Sequence, residues 1–138
     1  MRPESIFAPL SALALWTVLV MLLTGFRRVQ AVRARRVSPG AFRLGESPQV
    51  PPDVTVFNRN LMNLLEMPVL FYVVTICLYV THQVSHGAVL LAWLYVGLRV
   101  LHSLEHLTRN NVLRRLAAFT LSGVVLVMLW LRFIVALF

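Results

Sequence analysis

The 138-residue chain is 59% hydrophobic and only 13% charged, and its mean hydropathy is +0.78. That balance excludes an ordinary soluble domain and indicates an integral membrane protein. All 13 Lys+Arg residues are arginines, against 5 acidic residues, for a net charge of +8. The basicity therefore lies in planar donors suited to lipid headgroups and carboxylates. No compact basic and aromatic surface is left once the apolar spans are removed, which argues against nucleic acid as a partner.

The first expected element is a span at 7–26, an uncharged run of the ~20 residues needed to cross the hydrocarbon core. Arg27 and Arg28 follow it with no small-x-small cleavage site, so it reads as an uncleaved anchor rather than a signal peptide. The loop at 27–56 changes character at Ser38, from an arginine-rich extension of helix one to a Pro/Gly-rich segment that cannot be regular helix. Within it, Pro48–Pro52 reads as a stiff connector rather than an SH3-type ligand. Further spans are expected at about 57–80, 87–107 and 116–138. The whole chain, 1–138, reads as one four-transmembrane-helix, all-α domain, without an internal repeat. The lone Cys77 sits in an apolar run and reads as a packing residue.

Arg27, Arg28, Arg33, Arg35, Arg36, Arg43, Arg109, Arg114 and Arg115 all fall in the loops at 27–56 and 108–115. The positive-inside rule places those loops in the cytoplasm and both termini outside. The short loop on the other side carries His82 and His86, which read as solvating residues, and Arg132 near it reads as snorkelling to the headgroups.

Polar residues within the spans carry the functional reading. Arg59, Asn63 and Glu66 are spaced i, i+4, i+7, which confines them to an arc of about 60° on the second helix. Arg99, His102, His106 and Arg109 fall within an arc of about 120° on the half of the third helix nearest the same side. The two stripes are expected to meet. An intramembrane Arg or Glu costs at least ~2.5–3.5 kcal/mol on insertion scales, so such residues pair or line a hydrated cavity. Pro68 frees the carbonyl of Leu64 and adds an acceptor there. Three other readings stay open. Arg59, Glu66 and Arg99 could form an ion-pair cluster that only holds the bundle. Residues 102–106 fit the H-x-x-E-H metalloprotease pattern, but no later acidic ligand follows Glu105, so no metal is expected. A small proton-coupled exporter could use Glu66, although the arginines would repel a cationic substrate.

With these residues in view, the chain resembles the MAPEG family, the membrane-associated proteins in eicosanoid and glutathione metabolism. Residues 59–68, RNLMNLLEMP, resemble the R-x-x-x-N-x-x-E segment and following proline of that family's second helix, and 93–115 resemble its third helix and the next loop. The resemblance implies a four-helix subunit assembled as a homotrimer, with glutathione bound between adjacent subunits near the cytoplasmic side. It implies glutathione-binding roles for Arg33, Arg59, Asn63, Glu66, Arg99, His102, His106 and Arg115, with Arg115 the catalytic group that activates the thiol. The implied activity is conjugation of glutathione to lipophilic electrophiles or reduction of lipid hydroperoxides in the membrane. His106 stands where some members have tyrosine, and Leu116 and Phe119 stand where some have serine and tyrosine. A relative that keeps the fold without catalysis is therefore the competing implication. Glutathione itself brings two carboxylates, an ammonium and a thiol, and the set of arginines, Glu66 and Asn63 matches those charges.

Overall fold

The computed structural model describes residues 2–43 and 47–138, so the part of the first loop at 44–46 lies outside the described residues. A 3-10 turn at Pro3–Ile6 leads into α1 (Phe7–Arg33). A second 3-10 turn at Pro39–Phe42 lies in the connection to α2 (Pro52–Glu66), which continues almost directly into α3 (Pro68–Val80). Then come α4 (His86–Leu107) and α5 (Val112–Leu137). Among the described residues, four helical segments are long and apolar enough to cross a membrane, with α2 and α3 together making the second.

The helices outrun the apolar runs at three ends, because hydropathy marks depth in lipid while caps mark where helix starts and stops. The arginine-rich extension does prolong α1, to Arg33, where Arg35 takes a left-handed φ of 56° and the Arg36 N–H returns to the Ala31 carbonyl at 3.0 Å. Helix α2 begins at Pro52 rather than 57: extended Pro51 precedes it, proline needs no N–H partner in the first turn, and Asp53 suits the positive helix end. Helix α5 begins at Val112 rather than 116, since Asn111 accepts the Arg114 N–H on its side chain at 3.2 Å. Arg33, Arg114 and Arg115 are thus helical residues and not loop residues. Pro68 divides the second span into α2 and α3, yet Met67 between them keeps helical dihedrals, φ −60° and ψ −40°.

Helix α4 packs along α5 and against α1, and α1 packs along α2. The buried positions of α1, Pro9, Leu13, Val20, Thr24 and Ala31, are spaced 4, 7, 4 and 7, the seam of one helix laid along others. Of these, Leu13 and Val20 join a core of Leu64, Phe71, Val74 and Leu78 from the second span, Ala88, Ala92 and Tyr95 from α4, and Val125, Leu126 and Leu129 from α5. The two alanines let backbones approach closely, which membrane helices need because lipid supplies no hydrophobic drive to associate. Large apolar side chains such as Leu15, Leu22, Leu90 and Val135 point outward, as a lipid-facing surface requires.

A separate apolar cluster, Ala31, Val37, Ala41, Val50 and Val54, folds the first connection onto the ends of α1 and α2. Arg36 and Asp53 close it with two hydrogen bonds of 2.9 and 2.7 Å. This carboxylate raises the Arg36 guanidinium above its ordinary pKa. On the opposite side, Arg132 donates to the Ser85 hydroxyl from Nε at 3.1 Å and Nη2 at 2.8 Å, which ties α5 to the residue that caps α4. The position read as a headgroup anchor is thus also a helix-to-helix tie.

Candidate functional site

The interior of the bundle is polar where α1, α2 and α4 meet. The Ser103 hydroxyl accepts from Trp16 Nε1 at 3.0 Å and from Asn60 Nδ2 at 2.7 Å, so one small side chain satisfies donors from two helices. Asn60 and Ser103 are fully buried. One turn before Ser103 on the same helix, Arg99 is also fully buried, and its Nη2 donates to the main-chain carbonyl of Asn63. That acceptor lies one residue before Leu64, whose carbonyl Pro68 leaves without its helical partner. The Arg99 guanidinium carbon sits 5.6 Å from the Phe119 ring centroid. Its Nε and Nη1 have no hydrogen-bond partner among the described residues, nor does the Tyr95 hydroxyl one turn away, whose ring stacks on Phe71 at 4.6 Å. A buried guanidinium with two unmet donors is costly, so the chain carries unspent binding capacity at this depth.

Below Arg99 the polar column opens into a cavity of about 490 Å³, within the size range of small-molecule sites. Arg59 of α2, His106 of α4, Asn110 of the α4–α5 turn and Arg115 of α5 line it, with Ser47 and Thr55 at its edge. Asn110 takes a left-handed φ of 51°, which asparagine tolerates better than most residues, and its N–H closes α4 onto the Glu105 carbonyl at 2.7 Å. Its side chain then accepts from Arg115 Nη1 at 2.6 Å and fixes that guanidinium. Arg115 Nε has no partner among the described residues. His106 is 2% exposed, and its Nδ1 likewise has none. A second cavity of about 400 Å³, with Arg27, Asp53 and Phe57 on its wall, shares Pro52, Val56, His106 and Asn110 with the first.

His102 supports this arrangement from behind. Its Nδ1 lies 3.0 Å from the Arg115 carbonyl oxygen, and since a carbonyl can only accept, the ring donates. Its ring meets those of His106 at 5.9 Å and Phe119 at 5.8 Å.

The structure thus brings Arg59, His106 and Arg115 to one cavity and stacks His102 and Arg99 behind them. It does not bring the rest there. Asn63 is half-buried and offers its carbonyl to Arg99; Glu66 lies exposed on the outer face of the second span, although its charge reaches Arg99; Arg33 is exposed at the end of α1. Asn60, Ser103, Trp16 and Asn110 hold the site together and were not singled out from sequence. Asn60 had a readable signal. It lies within about 40° of the line through Leu64, Phe71 and Leu78, the core stripe, whereas Arg59, Asn63 and Glu66 lie about 80–140° round the helix from it.

A bundle of four segments able to cross a membrane, with Arg59 and Arg115 lining a cavity at one end of its polar interior, defines a class: a multi-pass membrane protein. The MAPEG family profile matches residues 6–135, and the chain belongs to that family. A comparison with curated proteins returns no match.

Proposed function

We propose that the protein is a glutathione-dependent membrane enzyme that conjugates glutathione to lipophilic electrophiles or uses it to reduce lipid hydroperoxides. The observation that carries this reading is the convergence of Arg59, His106, Asn110 and Arg115 on one cavity, in a chain of a family concerned with glutathione. The residues present fit the group. Arg59 and Arg115 suit its two carboxylates, Asn110 and Thr55 suit its amides, and the buried atoms Arg115 Nε and His106 Nδ1 each need a partner that the protein does not provide.

When bound, glutathione supplies a thiol as nucleophile or reductant. The protein's part is to bind it, orient it and favour its thiolate, whose formation a nearby guanidinium promotes; Arg115 takes that role, held in place by Asn110 through its side chain and by His102 through its main chain. The electrophile arrives through the bilayer: Leu113 and Leu116, flanking Arg115 on α5, are exposed and apolar.

The same reading makes the working unit a homotrimer. Glu66 is an exposed carboxylate on a membrane-crossing segment, an expensive placement unless another subunit covers it. A neighbouring copy that turns its Glu66 toward this cavity supplies the missing partner for the glutathione ammonium. A catalytically silent member of the family is the second reading, favoured by the apolar side chains of Leu116, next to Arg115 in sequence, and Phe119, against the His102 ring. Calorimetric titration of the detergent-solubilised protein with glutathione, followed by a conjugation assay, tests both. Binding with turnover supports the enzyme, binding without turnover the silent member, and no binding removes glutathione from the account.

A further inference from the structure

We infer that Arg132 and the cavity beside it bind the phosphate of an anionic phospholipid, at the end of the bundle opposite the Arg59–Arg115 cavity. Arg132 lies near the end of α5, and its guanidinium is already held in place: Nε and Nη2 both donate to the Ser85 hydroxyl, at 3.1 and 2.8 Å. Those two nitrogens form one edge of the planar fork. The other edge, Nη1 with the second N–H of Nη2, makes no hydrogen bond among the described residues. Two parallel N–H groups on one edge take two phosphate oxygens at once, which a lysine ammonium does not offer.

The surroundings keep the guanidinium in that orientation without neutralising it. Gly87 lies in the first turn of α4, and a Cβ there would stand 3.1 Å from Nη1 and 3.2 Å from the guanidinium carbon, so the missing side chain leaves the flat group its place. Beside it, Gln83, Ser85, Arg132, Val135 and Ala136 line a cavity of about 390 Å³. Gln83 Nε2 is spent on the Ala136 carbonyl at 3.1 Å. No carboxylate lines this cavity, and Arg132 forms no ion pair among the described residues. Glu4, on the 3-10 turn that packs against α3 and α4 at this end, is exposed and forms none either. A fixed arginine on a membrane-crossing helix is costly until an anion meets it.

The position on the bundle selects the kind of anion. Leu121, Val124, Met128 and Val135 fall within about 80° of Arg132 around α5, and all are exposed. A lipid whose phosphate sits at Arg132 keeps its acyl chains in the hydrocarbon along that face, whereas a free phosphate gains nothing from it. The headgroup follows from charge. An ethanolamine or choline group would bring a second cation to a cavity that holds no carboxylate, so the fitting lipid has a net negative headgroup, of the phosphatidylglycerol class.

The experiment uses the full chain in detergent, stripped of copurified lipid and titrated with dioleoyl phosphatidylglycerol, phosphatidylethanolamine or phosphatidylcholine, with bound lipid counted by native mass measurement. Wild type is compared with Arg132→Gln, Arg132→Lys and, as a control on an exposed arginine at the opposite end, Arg114→Gln. Wild type and Arg114→Gln should take up the first phosphatidylglycerol roughly five-fold more tightly than either other lipid, and Arg132→Gln should lose that advantage. Arg132→Lys keeps the charge without the fork and should lose most of it. Wild type with no preference among the three lipids, or Arg132→Gln with the full preference, overturns the proposal. So does displacement of the bound lipid by millimolar inorganic phosphate, which would give the site to a free anion. Should Arg132→Gln fail to assemble for want of its tie to Ser85, Arg132→Lys decides, and full preference in that variant overturns the two-oxygen site.

Discussion

His102 donates to the main-chain carbonyl of Arg115 at 3.0 Å, so the position of the arginine at the cavity depends on a side chain that never reaches it. Replacing His102 with Phe keeps the volume and removes the donor. The buried carbonyl then loses its partner, at a cost of roughly 1–3 kcal/mol. We expect lower thermal stability in detergent together with several-fold weaker glutathione binding, while His102→Gln recovers part of both. Calorimetry and thermal unfolding on the two variants check this; full retention of affinity in His102→Phe would show that Arg115 does not depend on the tie.

Ser103 satisfies Trp16 and Asn60 at once. Ser103→Ala leaves two buried donors without an acceptor, and each orphan costs roughly 1–3 kcal/mol. The variant should unfold at markedly lower temperature and shift the fluorescence of Trp16. Pairing it with Asn60→Leu removes one of the orphans, so the double variant should be more stable than Ser103→Ala alone, a non-additivity that a double-mutant cycle reads directly.

Much of this architecture was legible from period and hydropathy. Four apolar runs became four membrane-crossing segments, and the Pro/Gly-rich stretch after Ser38 formed no regular α-helix among its described residues. The ends were not legible from hydropathy, because Pro52 and Asn111 start helices by backbone chemistry outside the apolar runs. The site was legible in part for a related reason. A polar, ionisable residue in an apolar run announces itself, so Arg59, Arg99 and His106 stood out, whereas Arg115 was read as a loop residue and drew notice through the family resemblance. Asn60 and Ser103 are small polar residues whose meaning comes only from facing each other across two helices. The angular offset between the Arg59–Glu66 stripe and the core stripe could have been read, but it does not separate Arg59, which lines the cavity, from Glu66, two turns further along the same face.

The orientation we propose puts the cavity on the cytoplasmic side, where the arginines of the first connection gather. Gln49 is exposed in that connection. In a Cys77→Ser background, Gln49→Cys should resist an impermeant thiol reagent in intact cells and react after lysis. A cysteine at His82, exposed in the opposite turn, should react before lysis. The reverse pattern would invert the topology and place the glutathione cavity outside the cytoplasm.

Arg59, His106 and Arg115 line one cavity within a single chain, whereas Glu66 of that chain lies on its outer face. If the assembly is a trimer in which Glu66 completes a neighbour's cavity, co-assembling defective subunits gives two distinct outcomes. Glu66→Ala subunits mixed with Arg115→Ala subunits should recover glutathione binding, because some sites then draw an intact cavity from one chain and an intact Glu66 from the next. Arg59→Ala mixed with Arg115→Ala should recover none, since both arginines belong to the same chain's cavity and no mixed assembly contains a whole one. Calorimetry on the co-expressed, doubly tagged species separates these cases, and native mass measurement counts the subunits. Recovery in the second mixture would mean that the cavity is itself shared between chains. A monomer that binds glutathione at full affinity with Glu66→Ala would mean that the carboxylate takes no part, and that the ammonium is met by groups of one chain alone.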